Sequence, residues 1–338
     1  MKTARGDVRR PTIKEVAKLA GVSFKTVARV VNNEPNVTAE RRAAVVRAMK
    51  MLDYRPNISA RQLRSEKSFL IALLYDIAAE YVAHAQAGAI GRCREAGYHL
   101  IVEAVPRGSE EAAAQRLKEL NVDGVIVAPP ASQREAVLSA LRTRGLRHAL
   151  IAPGPDAAAP SVAMDDREAA RQMTEALIGL GHRRIAFISG GQRHASKLRQ
   201  AGYEEALQAA GLEAEPDLIA VGDFLFRSGE SAAVALLDAE RPPSAIFAAN
   251  DAMALGALVA AARKGVPVPQ QLSIAGFDDL PLSTIVWPQL ATVRQPLAEM
   301  AAAAVDLLLE RQLPEPPPRI LLDFQIVRRE SIGPAPRI

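Results

Sequence analysis

The chain has 338 residues, 49% of them hydrophobic, so it is long enough to bury more than one core. It has no run of roughly 18 uncharged apolar residues and no apolar segment of a secretory signal, which argues against a membrane-spanning or exported protein. Its single cysteine, Cys93, cannot form an internal disulfide, so we expect a protein of the reducing cytoplasm.

Charge is divided unevenly along the chain. Residues 1–67 carry 16 Lys and Arg against 6 Asp and Glu, a net charge of +10, whereas the remaining residues carry 26 against 32, a net charge of −6. A small basic head on a mildly acidic body indicates that the head binds a polyanion. The alternative is a solvated basic tail, but the basic residues are interleaved with regularly spaced apolar ones, which favours a folded head.

Two short helices joined by a tight turn are predicted at the start of the head. Thr12 and Glu15 form a capping box, Gly21 can take the left-handed conformation that ends a helix, and Ser23 can cap the next one. The apolar positions predicted to face inward are Ile13, Val16, Ala17, Ala20, Val27, Val30 and Val31. This pattern is typical of a helix-turn-helix, whose second helix enters the major groove of DNA.

A third helix is predicted from a Thr38 cap to about Leu52. Its inward positions are Val45, Ala48, Met49 and Leu52. The segment YRPNISARQLRS, residues 54–65, follows; Pro56 stops the preceding structure, and Asn57 can cap one or two further helical turns. A helix this short is not stable alone in water, so it needs a partner to order it.

The segments TIKEVAKLAGVSFKTVARVVN and YRPNISARQL resemble the DNA-binding head and hinge of the lactose/galactose repressor (LacI/GalR) family of bacterial transcription regulators. The resemblance implies that one set of residues contacts phosphates or fixes the head on the duplex. This set is Thr12, Ser23, Thr26, Asn32, Thr38, Tyr54 and Asn57.

The resemblance also assigns base contacts to the second helix. Phe24 and Lys25 occupy the two positions that select among operators, and Arg29 occupies a base-contacting position. Lys25 suits the acceptors of guanine, and Phe24 suits the methyl group of thymine. Ala28 departs from the serine usual at its position, so one polar contact is expected to be missing.

In the family, two hinge helices pair in the minor groove and each inserts a leucine into the central base step. Here that leucine is Leu63, and Ala60 occupies the neighbouring close-packed position. Apolar wedges kink DNA at a cost of roughly a few kcal/mol per unstacked step. The hinge helix is therefore expected to form only on DNA and in a homodimer. The alternative is that Leu63 is an ordinary linker leucine.

From Phe69 onward, apolar runs alternate with amphipathic stretches. Buried parallel strands are predicted at 69–75, 98–105, 123–130, 148–153 and 161–166, and again at 183–190, 218–223, 244–251 and 272–279. Helical patterns fill the gaps, for example at 83–96 and 109–120. This alternation, repeated twice, predicts an α/β fold with two doubly wound lobes.

The end of the chain predicts how the lobes are connected. A strand at 291–296, a long helix to Leu313 and a final segment at 320–331 fit the periplasmic-binding-protein type of body. In such a body the chain crosses between the lobes three times, here near Asp165, Thr292 and Leu322.

The predicted organisation has three parts. They are a helix-turn-helix DNA-binding domain at 1–56, a hinge helix and linker at 57–67, and an effector-binding and dimerisation domain at 68–338. Within the last part, the N-terminal lobe comprises about 68–165 and 293–322, and the C-terminal lobe comprises about 166–292 and 323–338.

Ligands of open α/β sheets bind beyond the carboxyl ends of the strands, so two facing lobes direct these ends at one cleft. The polar or aromatic residues predicted there are Asp76, Arg199, Phe224, Asn250 and Asp278. Carboxylates, an amide and an arginine around an aromatic ring suit a polyhydroxylated ligand. The resemblance places the last four at effector-contacting positions, and it adds the strand end at Asp76, although DIAAEY is more apolar than the loop usual there.

Four other residues receive simpler interpretations. Asp166 and Asp279 are expected to cap helices, and His182 is expected to cap the end of the helix before a strand. Trp287 is expected to pack beneath a crossover.

No enzyme motif is present: the chain lacks a P-loop, a GxGxxG that opens a helix after a strand, a nucleophile elbow and a metal-binding histidine spacing. We therefore expect no catalytic residue, cofactor or metal, and an α/β enzyme acting on sugars is a remote alternative.

The sequence thus predicts a repressor of carbohydrate-catabolic genes that binds a palindromic double-stranded DNA operator as a homodimer. A mono- or disaccharide in the cleft is expected to release it. A second alternative is a regulator of the same fold that a purine activates as corepressor.

Overall fold

The computed structural model describes residues 11–31, 36–54, 67–76, 80–155 and 157–336. The DNA contacts predicted for Asn32, Asn57, Ala60 and Leu63 lie outside these ranges. The chain divides into two compact units, Met1–Phe69 and Leu70–Ile338. Within the described ranges, no helix combines the length and the apolar character needed to cross a membrane.

The first unit contains the helices α1 (Ile13–Ala20), α2 (Phe24–Val31) and α3 (Ala39–Met51). The capping box of α1 is complete: the Glu15 N–H donates to Thr12 Oγ1 at 3.4 Å, and the Thr12 N–H donates to the Glu15 carboxylate at 2.6 Å. Gly21 ends α1 with a φ of 65°, as predicted. These local signals confirm the predicted starts and turn of the helix-turn-helix.

Six small apolar side chains form the buried centre of this head. They are Val16, Ala17, Val27, Val30, Val45 and Ala48. All six belong to the set predicted to face inward, and the others of that set pack around them. The helical period of apolar residues therefore predicted the core of the head.

The second unit alternates strands and helices. Its strands are β1 (Leu70–Tyr75), β2 (His99–Ala104), β3 (Gly124–Val127), β4 (His148–Ile151), β5 (Ser161–Ala163), β6 (Ile185–Ser189), β7 (Ile219–Val221), β8 (Ala245–Ala248), β9 (Ser273–Ala275), β10 (Thr292–Arg294), β11 (Arg319–Leu321) and β12 (Gln325–Val327). Its α-helices are α4 (Glu80–Glu95), α5 (Glu110–Glu119), α6 (Glu135–Thr143), α7 (Asp166–Gly179), α8 (His194–Ala209), α9 (Phe226–Leu237), α10 (Asp251–Arg263), α11 (Leu282–Ile285) and α12 (Leu297–Leu309), with 3-10 turns at Ala131–Gln133 and Pro216–Leu218.

Two parallel sheets form the two lobes. The N-terminal lobe has six strands in the order β11-β5-β4-β3-β1-β2, and the C-terminal lobe has four in the order β7-β6-β8-β9. Every pairing within these two sheets is parallel, whereas β10 and β12 pair antiparallel to each other. The predicted α/β class with two doubly wound lobes is confirmed.

The helices on one face of the N-terminal lobe approach very closely. A Cβ built on Gly88 of α4 would overlap the backbone of Ala298 in α12, so a glycine is needed at this crossing. Because α12 lies late in the chain, this contact fixes the C-terminal part of the chain to the first lobe.

The final segment, predicted as one piece at 320–331, forms two strands in different sheets. β11 pairs with β5, and β12 pairs with β10. Between them, the Leu322 N–H donates to the Ala163 carbonyl at 2.9 Å. This change of partner falls at Leu322, where the periplasmic-binding-protein type of body led us to expect a crossing, although the apolar run ILLDFQIV itself carries no turn signal.

Of two simpler interpretations, the one for His182 holds for its backbone and the one for Trp287 is wrong. His182 does cap the end of α7 with its backbone, because its N–H donates to the Leu177 carbonyl at 3.3 Å; its ring is fully buried and instead bonds Ser244 Oγ at 2.9 Å and Ser273 Oγ at 3.0 Å. Trp287 does not pack beneath a crossover, because 83% of its surface is exposed.

Candidate effector site and DNA-binding head

Arg199 on α8 lies at the centre of a buried charge cluster. Its Nε and Nη2 atoms are each 2.8 Å from Asp166 Oδ1, and its Nη1 donates to the Ala249 carbonyl at 2.6 Å. Nη1 is also 3.7 Å from Asp278 Oδ1, and the guanidinium lies 3.6 Å from the ring centroid of Phe277. A buried charge is tolerated only when it is paired, so these contacts hold Arg199 in one orientation.

Asp166 and Asp279 therefore do not cap helices. The cap of α7 is the preceding Asp165, which accepts from the Glu168 N–H at 2.9 Å. Asp279 is paired with Arg294 and Arg329, each at 2.6 Å. The sequence does not show which partner each of two adjacent aspartates has. Contacts with distant parts of the chain determine these partners.

Asp278 is the second carboxylate of the cluster. Its φ of 125° is unusual for a residue with a side chain, and its Oδ1 accepts from Gln295 Nε2 at 2.5 Å. Burial raises the pKa of Asp278 to about 6, although the Arg199 charge and the Gln295 hydrogen bond oppose this shift. A carboxylate of this kind is a strong acceptor that still lacks full compensation for its burial.

Asn250 and Phe224 support each other at the neighbouring strand ends. Asn250 caps α10 by accepting from the Met253 N–H at 3.0 Å, and its amide donates to the Phe224 carbonyl at 3.0 Å. Phe224 has a φ of 71°, and its ring lies where a Cβ on Gly190 would be. The Arg193 guanidinium is 5.2 Å from the centroid of the Phe224 ring.

A fully buried carboxylate links this region to the crossing strand β10. Asp251 Oδ1 accepts from Thr292 Oγ1 at 2.6 Å, and its Oδ2 accepts from the Leu280 N–H at 2.9 Å. Burial, and next the charge of Asp278, raise the pKa of Asp251 well above its usual range.

Asp76 is engaged differently from the other four predicted effector residues. Its Oδ2 is 3.0 Å from Arg134 Nη1, and Arg134 also pairs with Glu110. All three side chains are largely buried, and Arg134 also donates to the Val105 carbonyl at 2.8 Å. The structure thus brings Arg199, Asp278, Asn250 and Phe224 together and places Asp76 in an ion-paired group of the N-terminal lobe.

Sequence analysis missed three side chains of the site: Gln295, Phe277 and Tyr81. The pKa of Tyr81, on α4, is raised mainly by burial and then by the charges of Asp278 and Asp166. Its hydroxyl is therefore near enough to the cluster to feel both charges, although α4 belongs to the N-terminal lobe. The available signal was its position shortly after the end of β1.

Several of the residues predicted to contact DNA are exposed on the head, among them Thr12, Ser23 and Thr38. Phe24, at the start of α2, has 54% of its surface exposed, and Lys25 beside it is exposed as well. Ser23 accepts from the Thr26 N–H at 3.1 Å, and Thr38 accepts from the Arg41 N–H at 3.4 Å.

Thr12, Ser23 and Thr38 therefore have structural roles as caps in addition to their predicted DNA contacts. Tyr54 packs against the core of the head, and Arg29 is half-buried.

Comparison with known proteins agrees with this architecture. Residues 12–57 match the family described as bacterial regulatory proteins, lacI family, and residues 174–332 match the periplasmic binding protein-like domain. The chain is 36% identical to catabolite control protein A of Priestia megaterium, over 88% of this chain and 91% of that protein.

Two solved structures extend the agreement. A CelR–cellobiose complex is 33% identical with a TM-score of 0.72, covering 95% of this chain and all of that one. The lac repressor dimer bound to operator and the anti-inducer ONPF is 28% identical with a TM-score of 0.75, covering 96% of this chain and all of that one. The fold and these relatives are those of DNA-binding regulators rather than enzymes. The chain therefore belongs to the LacI family of bacterial transcription regulators, in which a helix-turn-helix head is joined to a periplasmic-binding-protein-like domain.

Proposed function

We propose that the protein is a cytoplasmic repressor of carbohydrate-catabolic genes, which binds a palindromic operator as a homodimer and is released by a sugar in the cleft between its lobes. One observation carries the proposal: each strand of the four-stranded sheet is followed by one of the clustered residues. Arg199 follows β6, Phe224 follows β7, Asn250 follows β8 and Asp278 follows β9. Their position beyond the carboxyl ends is where open α/β sheets bind ligands.

The chemistry of this cluster favours a neutral, polyhydroxylated ligand. Asp278 can accept from adjacent hydroxyls, Arg199 can donate to a ring or hydroxyl oxygen, and Phe224 offers a flat apolar face. Arg199 is already balanced by Asp166 as well as Asp278, so an anionic ligand would find no uncompensated positive charge there. The relative CelR was solved with cellobiose, which agrees with a saccharide.

A purine corepressor is the second candidate, and one observation favours it. Tyr81 supplies a second aromatic side chain facing the cluster, and two aromatic rings suit a planar base. Hydrogen-bonding groups for a base would then come from Asn250 and Asp278.

The homodimer is supported by exposed apolar side chains on the C-terminal lobe. Two groups stand out in the described part of the chain. In the first, Val221 is 75% exposed and Leu225 is 59% exposed. In the second, Ile285 is 73% exposed and Trp287 is 83% exposed. Both groups border α10: the start of α9 packs on Gly256, and Trp287 shares a surface cavity of about 300 Å³ with Leu258. Exposed apolar groups of this kind mark interaction sites, and we assign both groups to the contact with a second copy of the chain.

The proposed mechanism couples the cleft to DNA through the connection between lobes. The lobes are proposed to comprise 68–165 with 293–322 and 166–292 with 323–338, and a sugar that prefers one arrangement of them shifts the dimer away from the geometry that DNA requires. Couplings of about 1–3 kcal/mol are typical of allosteric pairs. In the head, Phe24 and Lys25 contact base edges, and Leu63 enters the minor groove.

The test is calorimetric titration of the full chain with mono- and disaccharides and with purines, followed by operator binding with and without the ligand that binds. Arg199→Ala should leave operator affinity intact and abolish the response to a sugar. A variant that still releases DNA when the sugar is added contradicts the assignment of the site. A purine that binds and strengthens operator binding would establish the second candidate instead.

A further inference from the structure

A basic surface cavity of about 230 Å³ lies at the amino ends of β4 and β5 in the N-terminal lobe. We call it the amino-end cavity. The lining residues that matter here are Leu138, Arg142, Leu146, Arg147, His148 and Pro160. The proposed effector site lies beyond the opposite, carboxyl ends of the strands, so the amino-end cavity is separate from it.

The amino-end cavity holds one positive charge, that of Arg147, which has no carboxylate partner in the described part of the chain. Arg147 Nη2 donates to the carbonyl of Leu307 at 3.1 Å and to that of Glu310, and both acceptors are neutral. The charge of Arg142 is offset, because Arg142 is paired with Glu135. Among the described residues, no acidic side chain lines the cavity. The site therefore suits a ligand with a single negative charge.

Arg147 and His148 have polar atoms left for a ligand. Within the described ranges, Nη1 and Nε of Arg147 form no hydrogen bond, and neither atom is enclosed. His148 Nδ1 is 2.9 Å from the Leu146 carbonyl, which can only accept, so Nδ1 carries the hydrogen. Burial lowers the pKa of His148, so the ring is neutral near pH 7.5 and its Nε2 is an acceptor. The site thus offers donors for a carboxylate and an acceptor for a hydroxyl group.

The remaining walls of the cavity are apolar, and its volume is small. Leu138, Leu146 and Pro160 form apolar sides. Pockets for drug-sized ligands measure roughly 300–1,000 Å³, so a cavity of about 230 Å³ fits a molecule of a few carbons. A phosphate monoester brings a charge of about −1.5 to −2, more than Arg147 alone offsets. We propose that the amino-end cavity binds a short aliphatic carboxylate that also carries a hydroxyl group, as a second ligand site independent of the cleft.

The test is calorimetric titration of the full chain near neutral pH with butyrate, 2-hydroxybutyrate and 3-hydroxybutyrate, which differ only in the hydroxyl group. Arg147→Lys keeps the positive charge and Arg147→Gln removes it, while both disturb the contacts with the carbonyls at the end of α12. His148→Phe keeps a ring and removes the acceptor. Arg144→Gln, at a residue that is paired with Glu111 and does not line the cavity, is the matched control.

At least one hydroxybutyrate should bind about fivefold more tightly than butyrate, as expected for one additional hydrogen bond. Arg147→Gln should weaken the binding of all three carboxylates by about tenfold or more, and Arg147→Lys should weaken it less. His148→Phe should remove only the advantage of the hydroxyl group. Arg144→Gln should leave each affinity unchanged, and so should Arg199→Ala, because the cleft takes no part.

The proposal is overturned if none of the three carboxylates binds the wild type, if the hydroxyl group gives no advantage, or if inorganic phosphate binds more tightly than both hydroxybutyrates. Equal affinities of Arg147→Lys and Arg147→Gln would also overturn it, and loss of binding in Arg199→Ala would place the carboxylate in the cleft instead. Release of the operator by a sugar is measured separately, so the proposed function stands or falls on its own. If the Arg147 variants fail to fold, as a thermal melt would show, an advantage of the hydroxyl group that survives His148→Phe overturns the proposal.

Discussion

The Gln295 amide donates a hydrogen bond of 2.5 Å to the Asp278 carboxylate, and Gln295 directly follows the crossing strand β10. The carboxylate proposed to bind the sugar is therefore attached to the segment through which the chain passes between lobes. A ligand that draws Asp278 toward itself acts directly on this connection.

Asp278→Asn should weaken sugar binding and raise stability at neutral pH. Losing a hydrogen bond to a charged acceptor costs about 1.5–3 kcal/mol, roughly a tenfold to hundredfold loss of affinity by calorimetry. The raised pKa of Asp278 means that the native state holds this proton more tightly than the unfolded chain, so ionisation near neutral pH lowers stability. The melting temperature of the variant should therefore exceed that of the wild type at pH 7.5, with a smaller difference at pH 5.

Asp279→Asn is the matched control for that experiment. Its carboxylate is paired with Arg294 and Arg329, and those interactions, which outweigh its burial, lower its pKa. The control should therefore lose stability at pH 7.5. Equal melting temperatures for the two variants would contradict the assigned environments.

Sugar affinity of the wild type should fall as the pH is lowered from 7.5 to 5. Asp278 titrates near pH 6, and its protonated form is a weaker acceptor of sugar hydroxyls. The dissociation constant, measured by titration at several pH values, should rise by up to about tenfold per pH unit below 6. The Asp278→Asn variant should give a flat profile, and a wild-type profile equally flat would show that Asp278 does not bind the ligand.

His182 should make stability sensitive to acid. Its Nε2 is 3.1 Å from the Gly333 carbonyl, which can only accept, so Nε2 carries the hydrogen and Nδ1 accepts from Ser244. Burial lowers the pKa of His182, so the unfolded chain takes up the proton first and stability is lost as the pH falls below about 6.5.

His182→Gln is expected to lower the unfolding free energy at pH 7.5 by about 1–3 kcal/mol and to reduce the loss of stability between pH 7 and pH 5. Urea unfolding at several pH values measures both quantities. The exposed His99, changed to Gln, serves as the control and should leave the curve of the wild type unaltered.

Lys25→Ala should change which operator sequence is preferred. A good contact to a base edge contributes about 1–3 kcal/mol of discrimination, which fluorescence anisotropy on a set of operator variants can resolve. Lys18, exposed on α1, is the control, since Lys18→Ala should change affinity for all duplexes alike. Identical sequence preferences in the wild type and Lys25→Ala would refute the base contact.

Replacing the exposed apolar side chains of the C-terminal lobe should weaken the proposed homodimer. The double variant Leu225→Ser with Trp287→Ser should sediment as a monomer at concentrations where the wild type is dimeric, because both side chains would otherwise be buried by the second copy. Leu120→Ser, at a residue 46% exposed in the N-terminal lobe, is the control. A double variant that remains dimeric places the interface elsewhere.

The parts of this structure that sequence analysis predicted well depend on local chemistry. The Thr12 capping box, the left-handed Gly21 and the apolar runs of the strands are each decided by neighbouring residues. The cluster of Arg199, Phe224, Asn250 and Asp278 was found because parallel strands bring their carboxyl ends to one edge.

The parts that were missed depend on contacts between distant segments. Gln295 reaches Asp278 from a crossing strand, and Tyr81 faces the cluster from the other lobe. The residues around Gln295 give no sign of such a contact, and for Tyr81 the one sign is its position shortly after the end of β1. The same holds for Asp166, whose partner Arg199 lies 33 positions away.

Asn250 caps the N-terminus of α10 with the oxygen of its amide, and the nitrogen of the same amide donates to the backbone carbonyl of Phe224. A mutation there would disturb the helix and the stacking face together, so selection for a new ligand has little freedom at this position. Diversification of ligand preference among descendants of this protein should therefore proceed at other positions of the cleft, while the amide at 250 stays fixed.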